Sequence, residues 1–341
     1  MYSKAFLIAV FLAAVCHAEV KTPPALNRNR DEVLKFFAEK VYGVRPELSF
    51  ERKEQVVKTE KVPSFNATRK IVKISTLTPL GEKTFTAVSY FPDGVEKCPV
   101  FIYLSFRSSS QTNNPRWPIG QILERGAATV AFCYEDVLPD KSDVLKGIKR
   151  ADNSWGAIST WALAASRVVD WLETEPLADL SKIAVVGHSR LGKTSLWAGA
   201  NDTRFAMTVS NNSGCFGARL HSRNLYGETI ERITAVFPHW FAPNAAKLWN
   251  GKDYDLPFDQ HWLAAAVAPR LLAIGSAIED WWACPPGEMA CWEYARPAWK
   301  DKSSITYHVR PGLHNITSVD WKEYLDFAAR KNWFSSSEKR R

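Results

Sequence analysis

No apolar run in this chain approaches the roughly 20 residues that a membrane-spanning helix needs; the run at the amino end, Ala5 to Val15, stops at eleven. A transmembrane protein is therefore not expected. Cysteine is scarce, six in 341 residues, and no CxxC or Cys/His spacing resembles a zinc site. Seventeen Gly and 19 Pro, without repeat, linker or low-complexity stretch, exclude collagen-like and disordered readings. The net charge of +8 includes the short tail Lys339-Arg340-Arg341, and the remaining excess is scattered, with no basic stripe for a nucleic-acid partner. A mild positive balance suits acidic polymers, and a solvated surface explains it equally well.

What remains is an ordinary globular composition, 46% apolar and 23% charged. At about 150 residues per domain the length allows two domains, but α/β folds often wrap this much chain around one sheet. We expect a signal peptide at residues 1–18, with Lys4, the apolar run and the small residues of Cys16-His17-Ala18. A single domain, 19–341, follows. The protein is then expected to be exported, soluble and monomeric, in an extracellular or periplasmic setting. Loss of Cys16 leaves Cys98, Cys133, Cys215, Cys284 and Cys291, an odd number, so disulfides are permitted without defining the fold. Fourteen Trp is a high count, and their flat faces suit sugar rings as well as a core.

A short helix is expected over Val33 to Val41. The β-rich runs Lys70 to Ile74 and Lys83 to Phe91, separated by Thr78-Pro79-Leu80-Gly81, predict antiparallel hairpins at a sheet edge. From Pro99 the rhythm becomes strand, helix, strand. Val100 to Phe106, Ala127 to Tyr134, Ile183 to Val186, Phe205 to Ser210, Leu271 to Ile274 and Ile305 to Val309 are apolar runs suited to a parallel sheet covered on both faces. Ile158, Trp161, Ala165, Val168, Val169 and Leu172 form one helical stripe. Together they predict a doubly wound α/β sheet with its ligand site beyond the carboxyl ends of the strands.

Ile183 to Val186 runs into Gly187-His188-Ser189-Arg190-Leu191-Gly192-Lys193, the strand–turn–helix setting of a nucleophile elbow, although the second Gly stands one place later than in G-x-S-x-G. Ser189 then requires a base, and the base an acid. The alternative is a Ser that caps the helix. Of seven His, His188 sits in the turn itself, His308 lies within a strand, and His221, His239 and His261 suit core or surface roles. His314 follows the last strand and the Pro311-Gly312 turn, before a final helix from about Val319 to Arg330. Asp280 follows the Leu271 strand, with Glu279 next in line; Asn212, after the Phe205 strand, offers only a neutral amide. A loop carboxylate without catalytic part is the alternative for Asp280. The backbone N–H of Arg190 opens the helix where an oxyanion would bind, and its guanidinium adds charge. Lys193 lies four residues beyond Ser189, on the same helix face, or is simply solvated. A metal at Asp259 and His261 is less fitting than a helix start at those residues.

Gly187-His188-Ser189-Arg190-Leu191-Gly192-Lys193-Thr194, Val209 to Cys215, Gly227-Glu228-Thr229, Phe237-Pro238-His239-Trp240-Phe241, Leu256 to Trp262 and Glu279-Asp280-Trp281-Trp282, in this order, resemble the glucuronoyl esterases of carbohydrate esterase family 15, especially bacterial-type members. The resemblance spans roughly Trp155 to His314. It implies an α/β-hydrolase fold, a three-layer sandwich around a mostly parallel, doubly wound sheet. It also implies hydrolysis of esters between (4-O-methyl-)glucuronic acid on glucuronoxylan and lignin alcohols, without metal or organic cofactor. Matched residue by residue, Ser189 is the nucleophile, His314 the base and Arg190 an oxyanion partner. Many members carry a Glu where this chain has Asn212, so Asp280 is the implied acid. Lys193 and Glu228 are implied hydroxyl partners and Trp282 an aromatic wall, with Trp281 competing for that last part.

The same resemblance marks departures. His188 and Asn315 occupy the places of a fungal disulfide, which therefore cannot form. Phe216 replaces a usual Gly, and Ser105 a frequent Asn. Sequons at Asn211 and Asn315 adjoin the expected site and are read as unmodified, while Asn66 and Asn201 stay open. The alternatives carried forward are an esterase for acetyl xylan or small uronate esters, and a catalytically decayed polysaccharide-binding relative.

Overall fold

The computed structural model describes residues 21–47, 50–107, 114–223, 226–248, 251 and 256–334. The expected leader, 1–18, lies outside the described residues. Among the described residues nine strands form one sheet: β1 (Glu54–Val62), β2 (Ala67–Thr78), β3 (Gly81–Pro92), β4 (Cys98–Ser105), β5 (Ala128–Cys133), β6 (Ala178–His188), β7 (Phe205–Asn211), β8 (Leu271–Ala277) and β9 (Ile305–Arg310). Their order is β1-β2-β3-β5-β4-β6-β7-β8-β9. The first three pair antiparallel, β3 meets β5 antiparallel, and all later neighbours are parallel. The α-helices are α1 (Arg30–Phe37), α2 (Ile119–Glu124), α3 (Tyr134–Val137), α4 (Ala157–Leu172), α5 (Arg190–Asn201), α6 (Ile230–Val236), α7 (Gln260–Ala265), α8 (Pro285–Ala295) and α9 (Ser318–Ala329).

The central strands read as unbroken apolar runs because both faces are covered. In β4, Val100, Ile102 and Leu104 enter a core shared with α4 and α5, while Phe101 and Tyr103 pack on the other side with Trp321 of α9. In β6, Ile183 and Val185 face the first core and Ala184 and Val186 the second. Residues two apart share a face, so alternate side chains feed alternate layers. Three layers result, as the α/β-hydrolase reading requires. The expected hairpin is present: Thr78 pairs with Gly81, whose φ of 105° suits a residue without Cβ.

Boundaries shift where caps or turns act at range. The first helix begins at Arg30, ahead of Val33, because Asn29 and Glu32 form a reciprocal capping box with bonds of 3.0 and 2.9 Å. It then widens into a π turn, Ala38–Tyr42, and stops at Gly43. Cys98, Cys133, Cys215, Cys284 and Cys291 are all buried.

Candidate active site

Four adjacent parallel strands deliver the site. Ser189 directly follows β6, Asn212 directly follows β7, and the loops after β8 and β9 carry Asp280 and His314. Ser189 adopts φ 59° and ψ −127° between β6 and α5, the sharp turn of an elbow, and its N–H donates to the Asn211 carbonyl at 2.9 Å. A Cβ on Gly187 would collide with the Leu191 carbonyl, and one on Gly192 would press on the Asn211 carbonyl. The late second Gly thus serves contact between α5 and β7.

His314 Nε2 lies 2.8 Å from Ser189 Oγ, and His314 Nδ1 lies 2.6 Å from Asp280 Oδ2. The Asn212 amide donates to that same Oδ2 at 2.7 Å, and the Ala283 N–H reaches Oδ1 at 3.2 Å. Burial pushes the Asp280 pKa up; the His314 contact, Asn212 and Ala283 outweigh it, so the carboxyl sits below its ordinary value. With Nδ1–H given to Asp280, Nε2 is free to accept from the serine hydroxyl.

The histidine loop is anchored on its far side. Arg310 meets the buried Asp320 at 2.7 Å and donates to the carbonyls of Asn315 at 2.5 Å and Leu313 at 3.3 Å. Asp320 also closes a capping box with Thr317 at the start of α9. Arg116 Nε holds Asn315 Oδ1 at 2.7 Å, and the Gly312 N–H is bonded to Glu279. Glu279 is thus exposed and engaged with the turn before His314, away from the imidazole. His188 does not face Ser189. It lies buried behind His314, ring centroids 4.5 Å apart, with Nδ1 2.8 Å from Asn211 Oδ1; burial and the neighbouring His314 push its pKa down to about 3.

Ser189 and His314 open onto a cavity of about 250 Å³, lined also by Arg190, Lys193, Glu228, Arg232, Phe237, Trp240 and Trp282. Lys193, Glu228 and Trp282 are therefore at one cavity, and Trp281 is not among its lining residues. Lys193 is buried and donates to the Ser213 carbonyl at 2.5 Å; burial lowers its pKa, partly offset by Glu228. Burial raises the Glu228 pKa against the pull of Lys193 and three arginines. Trp282 is half-exposed beneath the Arg232 guanidinium at 5.0 Å, whereas Trp281 packs outside the cavity with its ring tilted against Tyr226, centroids 4.7 Å apart.

Other sequence readings resolve locally. Asp259 caps α7 and accepts from the N–H groups of His221, Ser222 and Gln260 at 2.7 to 2.9 Å, so all its acceptor capacity facing the backbone serves structure. Among the described residues no cluster of three metal-type ligands occurs. Both amide atoms of Asn211 are used, by His188 and by the Tyr324 hydroxyl, and the residue is fully buried. Phe216 adopts φ 52° and packs in the core against Phe241, its carbonyl bonded to the Tyr42 hydroxyl. Ser105, at the end of β4, accepts from the Arg107 N–H at 3.2 Å.

Sequence reasoning missed Arg232, Phe237 and Trp240 in the cavity wall, and behind it the fully buried Glu288 and the enclosed carboxylate of Asp140. Phe237 and Trp240 both lie within Phe237-Pro238-His239-Trp240-Phe241, the segment that could have pointed to them. Asp140 has no local motif at all. Glu288 accepts from the Gly214 N–H at 3.0 Å and meets Ser276 Oγ at 2.5 Å; burial raises its pKa to about 8.

A hydroxyl, imidazole and carboxylate in one row at the carboxyl edge of this sheet are the equipment of the carboxylic ester hydrolases of the α/β-hydrolase fold. A family model described as glucuronyl esterase, fungi, matches residues 81–302. Carbohydrate esterase MZ0003, from an unknown prokaryotic organism, is 36% identical across 89% of this chain and 84% of its own. The 4-O-methyl-glucuronoyl methylesterase 1 of Wolfiporia cocos is 31% identical across 56% of this chain, which spans half of that relative. Among solved structures, the glucuronoyl esterase of Solibacter usitatus superposes with a TM-score of 0.83 at 30% identity, over 91% of this chain and 97% of that one. A carbohydrate esterase family 15 enzyme from a marine bacterial metagenome, described as promiscuous, gives 0.80 at 34% identity over 89% and 91%. The chain belongs to the glucuronoyl esterase family, carboxylic ester hydrolases that act on esters of glucuronic acid.

Proposed function

We propose that the protein is an exported, monomeric serine esterase that cleaves the ester between (4-O-methyl-)glucuronic acid of glucuronoxylan and lignin alcohols. The observation that carries this reading is the unbroken row from Ser189 through His314 to Asp280 above a cavity lined by Lys193, Glu228 and Trp282. Ser189 Oγ attacks the uronate carbonyl while His314 Nε2 takes its proton. The carbonyl oxygen becomes an oxyanion beside the Arg190 N–H and guanidinium. Collapse of the tetrahedral intermediate expels the alcohol, which receives the proton from His314, and leaves an acyl-enzyme. Water, deprotonated by His314, then attacks the acyl carbon and releases glucuronate and free Ser189. Asp280 steadies the imidazolium in both halves. The steps draw on protein groups and water alone. Lys193 and Glu228 meet sugar hydroxyls, and Trp282 offers its ring to the apolar face of the sugar.

Hydrolysis of benzyl glucuronate by the wild type, abolished in Ser189→Ala, is the expected result; retained turnover in that variant removes the nucleophile assignment. The similarity to a marine esterase described as promiscuous supports a second reading, an esterase of wider range that includes acetyl xylan or small uronate esters. Rates on methyl glucuronate and acetylated xylan separate the two. A decayed polysaccharide binder fits poorly with a triad at hydrogen-bonding distances, and labelling by a serine-directed inhibitor tests it.

A further inference from the structure

Behind the cavity wall lies a second buried carboxylate. Asp140 follows α3 with its side chain almost wholly enclosed, and four donors converge on it. Oδ1 accepts from His239 Nε2 at 2.7 Å and from Trp240 Nε1 at 2.6 Å; Oδ2 accepts from the Tyr134 hydroxyl at 2.9 Å and from Arg190 Nη1. Burial opposes the charge, but the His239, Trp240 and Arg190 contacts outweigh it and hold the carboxyl well below its ordinary range. Arg190 and Trp240 are the two partners that line the cavity. The Arg190 guanidinium carbon stands 4.8 Å from the Trp240 ring centre, 5.6 Å from that of Phe237 and 5.8 Å from that of Phe106. Aromatic faces thus bound the cation, and Asp140 is the charged stop at its outer edge.

We propose that Asp140 is a positioning residue for ester hydrolysis, acting through Arg190: it fixes the guanidinium beside the point where the oxyanion forms. This rests on the roles proposed above for Ser189 and Arg190. A long, flexible side chain contributes to a transition state only if its orientation is set beforehand. The shared carboxylate sets it, and it also ties Trp240, the floor under the cation, to the same anchor. Pairing moderates the guanidinium charge in the resting site while leaving the edge away from Asp140 for the developing oxyanion.

A merely structural hub predicts lost stability whatever residue occupies position 190. A positioning residue predicts loss that depends on Arg190. The test is a double-mutant cycle on benzyl glucuronate with Asp140→Asn, Arg190→Met and the pair, reading kcat, KM and the melting midpoint. Asp140→Asn is expected to lower kcat about 10- to 100-fold, approaching the cost of one oxyanion donor. In the Arg190→Met background the same change is expected to alter kcat by less than about 2-fold, the signature of coupled residues. Asp140→Asn with wild-type kcat, or losses that multiply in the double variant, overturns the proposal. Should Asp140→Asn fail to fold, Asp140→Glu, which keeps the charge and displaces it by one methylene, is read through the same cycle with the same two outcomes. Ser189→Ala, run alongside, tests the underlying function separately: its retained turnover overturns the nucleophile, whereas an uncoupled Asp140 leaves the nucleophile standing.

Discussion

Asn212 and Asp280, 68 residues apart in the chain, share one hydrogen bond of 2.7 Å, and it ends on the very carboxylate oxygen that holds His314. Asp280→Asn replaces that oxygen's charge and leaves the imidazole without a defined tautomer. We expect kcat for benzyl glucuronate to fall by about 10⁴-fold. Steady-state kinetics checks it, and a rate near wild type would place the acid elsewhere.

Asn212→Ala removes one of the contacts that keep Asp280 below its ordinary pKa, while the burial that raises it remains. The Asp280 pKa must rise. Because the ionised carboxylate is the working form, activity in the variant is expected to fade at a higher pH than in the wild type as acid is added. The acid limb of a kcat/KM profile between pH 3 and 8 reads this directly. Superimposable limbs would show that the amide has no part in setting the acid.

How much of this was legible in the sequence follows from the range of each interaction. The elbow is local: a run buried on both faces, a Gly that cannot bear a Cβ, and a Ser before a helix all lie within eleven residues, Ile183 to Lys193. Asp280 and His314 need only the order of strands, since parallel neighbours bring successive carboxyl ends together. Asp140 is different. Its four partners lie at 134, 190, 239 and 240, and nothing in Leu138-Pro139-Asp140 distinguishes it from a surface turn. Glu288 is hidden likewise, on a helix, α8, with no single apolar stripe to reveal which side is covered. Helix ends moved where a capping box formed or the turn widened, as at Asn29 and Tyr42.

Glu288 gives a stability signature. Its carboxyl is fully buried, with a pKa raised from 4.5 to about 8, so the folded state retains a proton that the unfolded chain has shed. Stability from this group is fully present below about pH 4.5 and declines as pH rises through about 8. Glu288→Gln keeps a neutral hydrogen-bonding group beside Gly214 and Ser276. Its melting midpoint is expected to exceed that of the wild type at pH 9, with the difference shrinking towards pH 5. A constant offset across that range would overturn the assignment.

Arg310 and Asp320 form an ion pair with side chains 8% and 0% exposed, and Arg310 also holds the backbone on either side of His314. Asp320→Ala leaves a buried guanidinium uncompensated and removes the Asp320 half of the capping box of α9. Destabilisation of about 3–5 kcal/mol is expected, as for other broken buried pairs. Denaturant unfolding measures it. Because the same arginine orients the His314 loop, kcat is expected to fall at temperatures where the variant is still folded.

The two neighbouring tryptophans separate by environment. Trp282 lines the cavity with the Arg232 guanidinium against its ring, while Trp281 packs at a tilt against Tyr226 and does not line the cavity. Both are well exposed, at 45% and 63%, so truncation of either leaves the core intact. If Trp282 packs on the sugar, Trp282→Ala removes contact made equally in ground and transition states. KM for methyl glucuronate then rises about 10-fold while kcat holds, the pattern of lost uniform binding. Trp281→Ala is expected to leave both constants within about 2-fold, the scale of surface changes far from a site. The reverse ranking would assign the wall to Trp281 and require the loop after β8 to turn when substrate enters.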